Sequence, residues 1–147
     1  MKHQWSPRGY GPSGIANGWL GATMKCALLA PGFAYDPDNN ATWASISASE
    51  VPAGGLYVAG GVTLTGKTAV YNPAADRYDL DANDVAWGAV GGPYASFTAA
   101  AAVIYESGGG ALWSFIDFEG SKVVANGVFT VQFDPNGVLY MQALAPV

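Results

Sequence analysis

The residues in this chain that come closest to chemistry are acids set in turns. Asp79–Leu80–Asp81–Ala82–Asn83–Asp84 offers side-chain oxygens at alternate positions, as the opening of a calcium loop does. Counted from Asp79, such a loop needs Gly at its sixth position and Glu at its twelfth, where this chain has Asp84 and Val90. Asp36–Pro37–Asp38–Asn39–Asn40 is a second oxygen-rich turn, without a ligand pattern. Both are expected to be local turns whose side chains accept from nearby backbone N–H groups, with calcium at Asp79, Asp81 and Asp84 the weaker reading. Asp117 and Glu119 stand two apart, a spacing that shares one face of a strand and would suit a glycosidase acid pair. Phe118 and Gly120 around them point instead to a strand end.

Other chemistries find less support. His3 is the only histidine and lies in a Pro- and Gly-rich stretch, whereas a Ser–His–Asp or zinc site needs it on a rigid element. Gly91–Gly92 and Gly108–Gly109–Gly110 are followed by no Lys–Ser/Thr pair and open no helix, so they read as turns rather than phosphate cradles. The single cysteine, Cys26, excludes an intramolecular disulfide, and its apolar neighbours Met24, Ala27, Leu28 and Leu29 predict a buried, inert thiol. The expectation is a protein without catalytic residues, cofactor or metal.

Composition points the same way. At 147 residues the chain fits one domain. Half of it is hydrophobic, yet only 12% is charged, about half the usual share. Spread over a surface of roughly 7,000 Å², the charges stand about one per 400 Å², near the patch size at which neutral surface promotes association. An assembly subunit fits this better than a Gly- and Ala-rich monomer. The net charge of −5 and the scattered Lys and Arg argue against nucleic acid. No apolar run reaches the length of a membrane span, and the first residues lack the apolar core of a signal peptide. The expected protein is made and used without a cleaved signal.

Residues 1–18 read as an extended arm, broken by Pro7, Gly9, Gly11, Pro12, Gly14 and Gly18 and carrying Trp5 and Tyr10. The arm either docks on a neighbour or is a disordered terminus. Residues 19–147 read as one β-domain. Strands are predicted at 24–29, 61–64, 68–71, 77–80, 84–87, 100–105, 111–117, 128–133 and 138–142, with one short helix at 42–49 capped by Thr42. Turn chemistry separates them at Asn72–Pro73, Gly108–Gly109–Gly110, Asn126–Gly127 and Asp134–Pro135–Asn136–Gly137. The last of these is predicted to join its flanking strands as a hairpin. Short strands at this spacing give an all-β, single antiparallel β-sandwich, jelly-roll-like in outline. Trp87, Tyr105, Trp113 and Tyr140 fall at alternating strand positions, where core packing outweighs a sugar-stacking role.

An ordered set of short motifs carries a resemblance. It runs through Asn17–Gly18–Trp19–Leu20, Lys25–Cys26–Ala27–Leu28–Leu29, Gly60–Gly61–Val62–Thr63–Leu64–Thr65–Gly66–Lys67 and Asp81–Ala82–Asn83–Asp84–Val85–Ala86–Trp87. It continues through Ala102–Val103–Ile104–Tyr105, Phe115–Ile116–Asp117–Phe118, Gly127–Val128–Phe129–Thr130–Val131 and Asn136–Gly137–Val138. In order and spacing the set resembles a family of small tailed-bacteriophage virion structural proteins. The Pro- and Gly-rich arm departs from the short helical start usual in that family. The resemblance implies a capsid decoration, or cement, protein with the major capsid protein and copies of itself as partners. It also implies residence on the capsid surface after synthesis in the host bacterial cytoplasm. Trp5, Arg8 and Tyr10 are the expected interface anchors, since Trp, Tyr and Arg dominate binding hot spots. The alternative is a tail or fibre component that binds a host surface glycan through exposed aromatics beside Asp or Asn.

Overall fold

The structure, a computed structural model, describes residues 12–108 and 110–142. It is all-β, antiparallel and sandwich-like. The organising strand is β1, Met24–Leu29. Its sequence, Met-Lys-Cys-Ala-Leu-Leu, is an apolar run rather than an alternation, the pattern of a strand buried on both faces. β1 pairs with β6 (Ala95–Glu106) from Met24↔Glu106 to Leu29↔Ala101, and β2 (Val62–Thr63) and β7 (Leu112–Gly127) complete a sheet of order β2-β1-β6-β7.

One face of this sheet presents Met24, Cys26, Leu28, Ala102, Ile104 and Trp113 to the second layer. That layer comprises β3 (Thr68–Asn72), β4 (Arg77–Asp81) and β9 (Leu139–Gln142), in order β3-β4-β9, and the pair β5 (Val85–Trp87) with β8 (Phe129–Val131). It returns Leu80, Leu139, Val85, Trp87 and Val131 to the shared core. The other face, with Ala27, Leu29, Val103 and Leu112, is covered by Phe33, Tyr35, Trp43 and Ile46. The last two belong to α2 (Trp43–Ile46), which follows Thr42 and runs into a single 3-10 turn at Ser47–Ser49. Each fully buried Leu, Ile or Met of this core contributes about 1.5–3 kcal/mol.

Three expectations are corrected. The end of the expected arm is helical: α1 spans Pro12–Gly21. Proline is tolerated in the first turn of a helix and glycine suits its end, so Pro12 and Gly21 delimit this helix rather than forbid it. Tertiary contacts offset its internal glycines. Trp19 is wholly buried, its ring lies 5.9 Å from Trp113, and its Nε1–H donates to Asp81 O at 3.2 Å. Lys67 Nζ donates to Trp19 O at 2.8 Å, to Leu20 O and to Ala22 O, placing a cation on the carbonyl end of the helix.

The strand expected at 100–105 is the second half of the longer β6, and that expected at 111–117 is the opening of the longer β7, which starts at Leu112. Ser96–Ala125, Phe97–Val124 and Thr98–Val123 continue the ladder beyond a bulge in which residues 118–121 of β7 stand opposite Ala100. Finally, the turn at 134–137 closes, with Gly137 N donating to Asp134 O at 2.7 Å, but it joins no hairpin. β8 pairs with β5 and β9 with β4, because the turn carries the chain from one sheet of the second layer to the other.

Candidate interaction surface

Three connections converge where β6 begins. Residues 52–58 reach it through Ser96 N, which donates to Gly55 O at 3.0 Å; a Cβ on Gly55 would lie 1.9 Å from Ser96 O, so only glycine fits. Residues 88–94 lead into β6. A Cβ on Gly88 would lie 2.7 Å from Gly127 O and 3.1 Å from Ala95 N. The end of β7 arrives through Asn126 N, which donates to Ser96 Oγ at 2.9 Å.

No Asp, Glu, Lys or Arg occurs in 51–66, 85–105 or 123–133. The same stretches hold Leu56, Val58, Val90, Tyr94, Val123 and Val128, all large apolar side chains open to solvent; Val90 is 98% exposed, Val123 71% and Val58 66%. Burying such a surface against a partner desolvates few polar side chains and no charge. An open groove of about 430 Å³ adjoins it, lined by Ile116, Phe118 and Lys122 of β7 and by residues 129–132.

The loop at 51–61 is held in place from beneath. Glu50 Oε1 accepts from Tyr57 Oη at 2.7 Å and from Gly60 N at 2.6 Å. Tyr57 Oη also accepts from Leu28 N at 3.0 Å, and Tyr105 Oη donates to Gly60 O at 2.7 Å. Burial pushes the Tyr57 hydroxyl well above its ordinary pKa, so it stays protonated and donating. Its ring packs against Trp87 and Phe97 at 5.9 and 5.8 Å. The exposed Leu56 and Val58 are therefore carried on an anchored loop.

The acids named from sequence are occupied with local structure. Asp79 Oδ1 accepts from Arg77 Nε at 2.7 Å, Asp81 Oδ1 from Ala82 N at 2.9 Å, and Asp84 Oδ1 from Phe133 N at 2.8 Å. Among the described residues no three His, Cys, Asp or Glu side chains group as metal ligands. Asp36 folds the predicted turn, accepting from Asp38 N at 3.0 Å and Asn39 Nδ2 at 2.6 Å, and these bonds hold its carboxyl below its ordinary pKa. Asp117 and Glu119 do not share a strand face. Glu119 has φ 57°, and its N–H donates to Asp117 Oδ1 at 2.8 Å across the bulge.

The aromatics divide clearly. Trp87, Tyr105 and Trp113 are buried, as the alternation predicts, while Tyr140 is half-buried beneath Arg77, whose guanidinium carbon is 4.3 Å from the ring centre. Trp19 is also buried, and the partly exposed Trp43 stacks one face on Tyr105 at 4.5 Å. Cys26 is buried, and burial pushes its thiol up to about 12. His3 and the expected anchors Trp5, Arg8 and Tyr10 lie outside the described residues. Sequence reasoning did not single out Leu56, Val58, Val90, Tyr94, Val123 or Val128. Their signal is the run of charge-free stretches, which by themselves predict only loops and strands. Compared with family models, curated proteins and solved structures, the chain matches none.

Proposed function

We propose that this chain is a bacteriophage virion structural protein of the capsid-decoration kind, binding and stabilising a shell of major capsid proteins. The observation that carries the reading is the charge-free apolar end, built from three connections around the start of β6. A decoration protein acts by burying area across neighbouring shell subunits, and a standard contact removes about 800 Å² from each partner. An uncharged surface on a rigid sandwich suits that task, since little polar desolvation opposes docking. The ordered motifs that resemble virion proteins support the same reading. In this reading the protein resides on the capsid surface after synthesis in the host cytoplasm, and copies repeat with the symmetry of the shell.

The test is sedimentation of purified protein with shells assembled from the major capsid protein alone. Saturation at a fixed ratio to shell subunits is expected. Absence of binding at any concentration sinks the reading and directs attention to host glycans, with Tyr71, whose hydroxyl donates to Asp76 Oδ1 at 2.6 Å, as the exposed aromatic to examine.

A further inference from the structure

Asparagine followed by glycine occurs at Asn17–Gly18, Asn126–Gly127 and Asn136–Gly137. In this dipeptide the backbone nitrogen of glycine reaches the asparagine Cγ with little steric opposition, because glycine lacks a Cβ. The three pairs differ in how they are held. Asn17 lies within α1, whose hydrogen-bonded turns fix the backbone that follows it. Asn136 is clamped: its Nδ2 and its backbone N–H both donate to Asp134 Oδ1, at 3.0 and 2.8 Å. The attacking nitrogen, Gly137 N, is itself engaged with Asp134 O at 2.7 Å. Asn126 is exposed and sits at the end of β7 with φ 54°; its backbone N–H donates to Ser96 Oγ, and Gly127 after it is the last rung of the ladder, opposite Ala95, where strands open most readily. Among the described residues its carboxamide has no hydrogen-bond partner.

We propose that Asn126 is a spontaneous modification site, where deamidation installs a carboxylate in the charge-free end. Gly127 N attacks Asn126 Cγ and gives its proton to water. Water returns a proton to Nδ2, the Cγ–Nδ2 bond breaks, ammonia leaves, and the succinimide ring is complete. Water then opens the ring at either carbonyl, yielding aspartate or isoaspartate. Water is the sole co-reactant, and no electron is transferred. A charge at Asn126 stands beside Ser96 and two residues from Val128, so it must be desolvated whenever this end docks. That consequence rests on the interface reading above; the modification itself does not.

The experiment ages the purified chain in mildly alkaline buffer and follows its tryptic peptides by tandem mass spectrometry. Fragment ions separate Asn126 from Asn136 within peptide 123–147, and Asn17 falls in a different peptide. Conversion at Asn126 is expected to run about tenfold or more ahead of the other two, since the opening needed there is smallest. Gly127→Ala is expected to slow it: a Cβ there would meet only Val124 Cγ2, at 3.3 Å, so the fold accepts the variant with a small side-chain shift. Equal rates at the three sites, or no slowing in Gly127→Ala, overturn the proposal. In the shell assay Asn126→Asp is expected to bind about tenfold more weakly than Asn126→Gln. Equal binding of the two overturns the functional consequence. A wild-type chain that ignores shells overturns the interface reading, and the aging rates still decide the modification.

Discussion

The two ends of β6 lie roughly 36 Å apart, the span of its 12 residues, and they treat charge in opposite ways. Around the Glu106 end stand α1, β3 and β4, where charges are plentiful and turned inward to the fold. Lys67 sits on the helix carbonyls, Arg77 on Asp79 and the Tyr140 ring, and Asp81 on a backbone N–H. At the Ala95 end the one carboxylate used, Glu50, lies beneath the loop it anchors, and valines and a leucine are left in solvent on connections held by Glu50, Tyr57 and Ser96. One end uses polar groups to hold the fold together. The other is built so that its outer surface stays free of them, which is what an association surface needs.

The sharpest way to break the first end is Trp19→Ala. It removes a wholly buried ring together with its contact to Trp113 and its hydrogen bond to Asp81 O. A loss of about 3–5 kcal/mol in denaturant unfolding is expected. Nearly as large is an alkaline effect close to the same end, where Cys26 pairs with Ile104. Because burial raises the Cys26 thiol from 9.0 to about 12, the folded state keeps a proton that the unfolded chain releases. That contribution is complete below the unfolded value and drains away as pH climbs toward the folded one, reaching up to about 4 kcal/mol. Subtracting the pH profile of Cys26→Ala from that of the wild type isolates it.

Tyr57→Phe probes the second end. It strips one donor from Glu50 and leaves Leu28 N without its acceptor, so a cost of about 1–3 kcal/mol is expected. Hydrogen exchange should quicken most in residues 51–61. The smallest effect is Lys67→Met, which keeps the side-chain stem but takes the cation from the end of α1. About 1 kcal/mol is expected, with faster exchange confined to the helix.

Local chemistry was legible and pairing was not. β1 could be read end to end because its apolar run admits no other buried element of that length. The first residues of β6, Ala-Ser-Phe-Thr-Ala, carry only a weak signal; they become strand because residues 122–127 pair with them. The turn at 134–137 was visible in its Asp, Pro, Asn and Gly, yet nothing local says that its flanking strands belong to different sheets. Pro12 looked like a breaker because the helix that follows is stabilised by Trp113 and Lys67, both distant in sequence. The candidate surface was hidden for a related reason. The absence of charge in 51–66, 85–105 and 123–133 is plain in the sequence, but the exposure of Val58 and Val90 comes only from how three distant connections meet.

The most direct test places one lysine at each end and compares binding to capsid shells by sedimentation. Val58→Lys, Val90→Lys and Val70→Lys all alter exposed side chains, Val70 being on β3 opposite Asp79, and each should change stability by no more than about 0.5 kcal/mol. Shell affinity is predicted to fall about tenfold or more for Val58→Lys and Val90→Lys and to stay at the wild-type level for Val70→Lys. Equal affinity in all three, or a loss confined to Val70→Lys, would contradict the assignment of the charge-free end as the contact surface.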